Sequence, residues 1–177
     1  MERGVAVIAR TDISVEIESP TVADVETLTD LWVDLAAGQR DYGSHLYATT
    51  NREIARDSVA HHVATEGLLV ARVDEPAETI AGFVMFAPEG GHYDQDVSRG
   101  VIENLYVAPD YRNEGIGAAL LAAAESRLVA AGLDAVTLDA MATNEAARRF
   151  YRRHGYEPHR VELEKRVEND NKTRQDD

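Results

Sequence analysis

The residues whose spacing carries the most chemistry are Arg112-Asn113-Glu114-Gly115-Ile116-Gly117-Ala118. They follow Leu105-Tyr106-Val107, which has strand character, and precede a long apolar run of helical period, so the two glycines fall where a strand turns into a helix. Glycines in that place let backbone N–H groups crowd toward one point, and the positive helix terminus and Arg112 face the same point. The pattern suits an anion, and specifically a phosphate-bearing ligand. A nucleotide P-loop would carry Lys and then Ser or Thr after the second glycine, where Ala118 and Ala119 stand. A dinucleotide fingerprint would carry Gly or Ala three residues after it, where Leu120 stands. Both of those readings fail.

The elements that must position this turn read as alternating strands and helices. Residues 13–18 alternate apolar and acidic as a half-buried strand, and Pro20-Thr21 opens a helix with Leu28, Leu31, Trp32 and Leu35 on one face, ended by Gly38. Residues 38–50 lack periodicity and carry Asp41, Tyr42, His45 and Tyr47; Asn51 then caps a second helix running to about residue 65. Residues 68–73 and 79–87 form a hairpin across the turn-like DEPAE, followed by a polar loop over 88–99 with Tyr93, Asp94 and Asp96. Beyond it come a strand (101–107), the glycine turn, a helix (115–131), a strand (135–140), a helix (144–154) and a strand (161–167). The fold class is α/β, with a central twisted mixed sheet flanked by helices. Residues 1–12 read as a flexible leader, 13–167 as one domain, and 168–177 as a disordered acidic tail.

Composition narrows the function. The 177 residues suit a single domain, and no run approaches the roughly 18 to 20 apolar residues that a membrane span requires. No cysteine is present, which removes disulfides, a thiolate nucleophile and cysteine-ligated zinc; with no secretory signature at the start, the cytosol is the expected compartment. Eighteen Lys and Arg against 32 Asp and Glu give a formal charge of −14, a field that repels phosphate backbones and disfavours nucleic acid as a partner. Only Lys165 and Lys172 among the basic residues are lysines, a pattern shared by salt-adapted proteins and by a GC-rich coding bias. His61-His62 has no third ligand at metal spacing and reads as a pair of surface histidines, so no metal is expected.

The turn Arg112-x-x-Gly115-x-Gly117 resembles the acetyl-CoA pyrophosphate loop of the GNAT superfamily of N-acetyltransferases. A second motif lies downstream: Asn144-Glu-Ala-Ala-Arg-Arg-Phe150-Tyr151-Arg-Arg-His-Gly155-Tyr156 is similar to that family's second signature. The two occur in the family's order and separation, covering residues 101–156, while the region before them matches in element order alone. The resemblance implies a GNAT-type fold and transfer of an acetyl group from acetyl-CoA to an amine of a small molecule or peptide, without a metal. It implies that the backbone of Leu105, Tyr106 and Val107 bonds the pantetheine arm and polarises the thioester, and that Arg112, Asn113, Gly115, Ile116, Gly117 and Ala118 hold the pyrophosphate. Asn144 reads as a helix cap from its position, and the resemblance adds a bond to the pantetheine.

Such a transfer needs a neutral amine, a stabilised oxyanion and a proton for the departing thiolate. Unbroken strand alternation places Glu103 on the face of Leu105 and Asn104 on the other. Glu103 matches a position where family members carry a base, and is otherwise a solvated carboxylate. Tyr151 matches the family's thiolate-protonating tyrosine, and is otherwise an aromatic anchor beside Phe150. Arg148, Arg149, Arg152 and Arg153 form i,i+4 pairs on a solvated face. The two long loops are expected to meet as the acceptor site, with Tyr42, His45 and Tyr93 contacting a cationic amine. A homodimer is a family-level expectation. A different functional class, a non-catalytic acyl-CoA-sensing module, stays open at this point.

Overall fold

A computed structural model describes residues 14–74, 79–91 and 94–167. The apolar runs in the hairpin are unbroken because both faces of its strands are covered. In β2 (Leu68–Val73), Leu69 and Ala71 point to one core and Leu68 and Val70 to the other. With β1 (Val15–Glu18), β3 (Thr79–Pro88), β4 (Arg99–Val107) and β5 (Ala135–Leu138) it forms one sheet in the order β1-β2-β3-β4-β5. The first four strands pair antiparallel, and β4 pairs parallel with β5.

Two helices, α1 (Val25–Gln39) and α2 (Arg52–Ala64), cover one face, where Leu28 and Val59 meet Phe83, Met85 and Tyr106. On the other face α3 (Ile116–Ala130) packs Leu120, Leu121 and Ala124 against Val84, Phe86 and Ile102. The amphipathic α4 (Glu145–Arg153) lies against this second core through the half-buried Phe150 and Tyr151. Its arginines stay outward: Arg149 pairs with Glu145 at 3.5 Å, and Arg148 donates to Ala142 O at 3.0 Å.

Three local expectations are corrected. Gly38 does not end α1; the helix continues through a 3-10 turn over Arg40–Tyr42 and stops at Gly43, whose φ of 95° is the left-handed stop. Asn51 stands at the start of α2, but its side chain donates to Tyr47 O (2.7 Å) instead of accepting from the helix. The strand expected over 161–167 does not form. Val161, Leu163 and Val167 are 75%, 90% and 77% exposed, since an alternating pattern makes a strand only when an edge pairs with it. The leader, the tail, Tyr93 and the centre of the β2–β3 turn lie outside the described residues.

The β1 edge is fastened to α1 by Arg72, which bonds Glu18 and, at 3.2 Å, Asp24. Burial alone would raise the Asp24 carboxyl; the Thr21 backbone N–H and Arg72 outweigh it and hold it below its ordinary value. A carboxyl depressed by folding stabilises above the ordinary carboxylate range, and that contribution disappears as pH falls through the folded value. Asp24→Asn is therefore expected to cost about 1–2 kcal/mol in urea unfolding at neutral pH and little once the pH is below both values. An equal cost across that range would assign Asp24 a role independent of its charge.

Candidate active site

The site begins where the sheet opens. β4 pairs with β5 only from Arg99 to Ile102, against Ala135 to Leu138. From Glu103 to Val107 the β5-facing edge of β4 has no ladder partner among the described residues, so a row of backbone donors and acceptors lines a wedge. Leu105 and Val107 pack toward α3, while Tyr106 is buried on the opposite face. Arg112 closes the end of this edge: its Nε donates to Val107 O at 2.9 Å, and its guanidinium lies 5.8 Å from the centre of the Tyr106 ring. Burial, aided by the charge of Asp34, raises the Tyr106 hydroxyl against the opposing pull of Arg112.

The glycine turn follows a 3-10 turn at Pro109–Tyr111. Arg112 is extended, Asn113 takes φ 63° and Gly115 φ 81°, and α3 starts at Ile116. Two left-handed residues within three positions turn the chain sharply enough to aim the first amides of α3 at the wedge. Ala119 N–H bonds Gly115 O at 3.1 Å; the amides of Ile116 and Gly117 ahead of it have no helical carbonyl four residues back. A Cβ on Gly117 would lie 3.6 Å from Phe150 Cζ and 3.7 Å from Val107 Cγ2, so the first turn of α3 lies between β4 and α4.

Asn144 caps α4, its side chain accepting the Ala147 N–H at 3.0 Å. In the last turn of the helix, Tyr151 lies edge-on to Phe150 (5.2 Å) and Tyr156 (5.8 Å). Tyr156 donates to Glu125 Oε1 at 2.7 Å, whereas the Tyr151 hydroxyl has no hydrogen-bond partner among the described residues. Burial pushes the Tyr151 hydroxyl up, so at neutral pH it is a proton donor without a protein acceptor. Tyr156 is raised further, by burial and then by the hydrogen bond and charge of Glu125.

Glu103 does not share a face with Leu105. The β3–β4 register slips between Met85 and Phe86: Phe86 faces Ile102 and Met85 faces Asn104, which leaves Glu103 as the extra residue of a bulge. Its carboxylate turns to the α1/α2 side and meets His62 Nε2 at 3.0 Å. His62 is thus no surface residue: it is 6% exposed, while His61 beside it is exposed. The signal for this was present in the sequence, since Ala55, Val59 and His62 follow one helical stripe, the buried stripe of α2.

The two long loops are tied to opposite ends of β5. Tyr42 O accepts from Thr143 Oγ1 (2.8 Å) and His45 Nε2 bonds Glu164 Oε2 (2.8 Å), placing the loop after α1 beside the start of α4. The second loop is held by Glu89–Arg99 (2.6 Å) and Ser98–Asp134 (2.6 Å), at the closed end of the β4–β5 pair. No hydrogen bond or ion pair joins the two loops among the described residues. Residues 25–156 match the model of the acetyltransferase (GNAT) family. The chain belongs to the GNAT family. The match spans every element that builds the wedge and the glycine turn; β1 lies before it.

Relatives agree with this membership. The chain is 27% identical over 160 residues to an uncharacterized N-acetyltransferase, YesJ, of Bacillus subtilis (strain 168), covering 80% of this chain and 87% of that one. The fold is shared with a GCN5-related N-acetyltransferase from Ralstonia eutropha JMP134, at a TM-score of 0.67 and 24% identity over 87% of this chain and 99% of that one. It is shared also with the aminoglycoside N-acetyltransferase AAC(6')-Iy in complex with CoA, at 0.65 and 14% identity over 89% and 98% of the two chains. As a GNAT domain, the chain has the expected α/β architecture of a mixed sheet flanked by helices, with five strands among the described residues. No helix among the described residues is long and apolar enough to cross a membrane.

Proposed function

We propose that this GNAT acetyltransferase moves an acetyl group from acetyl-CoA to the amine of a small molecule or peptide, by direct attack in a ternary complex. The observation that carries the reading is the β4 edge from Glu103 to Val107, without a ladder partner among the described residues, ending at the turn that brings Arg112 and the first amides of α3. These residues fit the cosubstrate: the first-turn amides and Arg112 suit a pyrophosphate, and a free strand edge suits the amide groups of a pantetheine arm. When bound, acetyl-CoA supplies an acetyl thioester.

The chain's own groups then divide the remaining work. The β4 amides orient the thioester and polarise its carbonyl. Glu103, on the α1/α2 side of the opening, removes a proton from the amine, whose lone pair forms the new C–N bond. As the C–S bond breaks, the electron pair stays on sulfur and Tyr151, on the α3/α4 side, gives it a proton and regains one from solvent. Base and acid on opposite faces suit an acceptor that enters from the side away from the cosubstrate.

The loop after α1 is the acceptor side in this reading, with Tyr42 tied to the start of α4, His45 to Glu164, and Asp41 next to them favouring a cationic amine. A homodimer belongs to the same reading, supported by the outward Val161, Leu163 and Val167; light scattering should return twice the chain's mass. The test of function is release of free thiol when the protein meets acetyl-CoA and a panel of amines. Turnover with at least one cationic amine is expected. Binding of acetyl-CoA without thiol release across the panel would make the protein an acyl-CoA sensor.

A further inference from the structure

His62 and Glu103 form a pair that geometry holds from the His62 side. His62 Nδ1 lies 2.8 Å from Ser58 O, and a carbonyl only accepts, so Nδ1 carries a hydrogen. Its Nε2 lies 3.0 Å from Glu103 Oε2, within ion-pair distance of the carboxylate. The ring has no room to turn away. It is 6% exposed, and a Cβ placed on Gly67 would come within 3.1 Å of its Cδ2, so the backbone at Gly67 walls one side. Glu103 is more open, with a side chain 37% exposed, and its second oxygen, Oε1, has no hydrogen-bond partner among the described residues.

We propose that His62 is the positioning residue for Glu103: anchored on α2, it clamps one carboxylate oxygen so that the other faces the opening between β4 and β5. The inference rests on the acetyltransferase reading and adds to it a residue outside β4 and outside both sequence motifs. In the transfer step the amine N–H bond breaks and its proton goes to Glu103 Oε1, while Oε2 keeps its contact with His62; the proton then leaves to solvent. The bulge at Glu103 is what makes this arrangement available, because an unbroken strand would turn the carboxylate to the α3 side, away from α2.

His62→Phe keeps the ring's bulk and loses the bond to Ser58 and the contact with Glu103, whereas His62→Gln retains an amide donor that can reach Glu103. The first should lower kcat roughly tenfold or more with the KM for acetyl-CoA unchanged, and the second should recover much of that loss. In a Glu103→Gln background, His62→Phe should add almost nothing, since the two act as one unit. Full additivity, or equal losses in the Phe and Gln variants, would overturn the proposal. A second measurement does not depend on turnover: in protein labelled with 15N-histidine, Glu103→Gln should move the His62 Nε2 resonance and leave the Nδ1–H bonded to Ser58. An Nε2 signal indifferent to Glu103→Gln would refute the pair even if no amine proved to be a substrate, while absence of thiol release from the wild type alone would refute only the acetyltransferase reading.

Discussion

Gly117→Asp is expected to weaken acetyl-CoA binding about 100-fold or more by calorimetry while leaving the protein folded. The position lies in the first turn of α3, where amides have no helical acceptor and the helix terminus is positive. A carboxylate there is itself the kind of anion such a terminus favours, so it supports the helix and occupies the field meant for the ligand. The added Cβ meets Phe150 and Val107 at 3.6 and 3.7 Å, ordinary contact distances, so sterics alone do not break the packing. Gly117→Ala supplies the control: it adds the same carbon without the charge and should retain most of the affinity. Loss of two charge-assisted hydrogen bonds, each worth about 1.5–3 kcal/mol, accounts for the expected factor at about 1.4 kcal/mol per tenfold. Unchanged affinity in a folded Gly117→Asp protein would remove the pyrophosphate from this turn.

The second large effect is expected from Tyr151→Phe, which should lower kcat roughly ten- to a thousand-fold with acetyl-CoA affinity nearly unchanged. Removing the hydroxyl breaks no bond to another described residue, so the melting temperature should hold. Burial keeps that hydroxyl protonated at neutral pH, so it has a proton to give to the departing thiolate. Tyr156, with its hydroxyl engaged by Glu125, is not free to take over. Wild-type turnover in the Phe variant would leave Tyr151 as an aromatic contact between Phe150 and Tyr156.

The sequence by itself determined the local machinery. The turn between β4 and α3 depends on residues that tolerate a positive φ, Asn113 and Gly115, and on the helix-forming run that follows. The cap of α4 spans three residues, from Asn144 to Ala147. Interactions of that range are encoded where they occur, and so is the continuous apolar pattern of strands covered on both faces, which placed β2, β3 and β4 and the sheet between two helical layers. Tertiary structure alone decided the orientation of Glu103. Alternation assumes an intact pleat, but the extra residue in β4 arises from how β3 pairs with it at Met85 and Phe86, a choice made between strands. The same slip joins Glu103 to His62, 41 positions earlier in the chain, and no spacing rule links two such residues. Whether residues 161–167 pair as a strand, and which loop lies beside α4, likewise depended on which edges and ends met in space: an edge strand or a long loop carries its own pattern but not the identity of its neighbour.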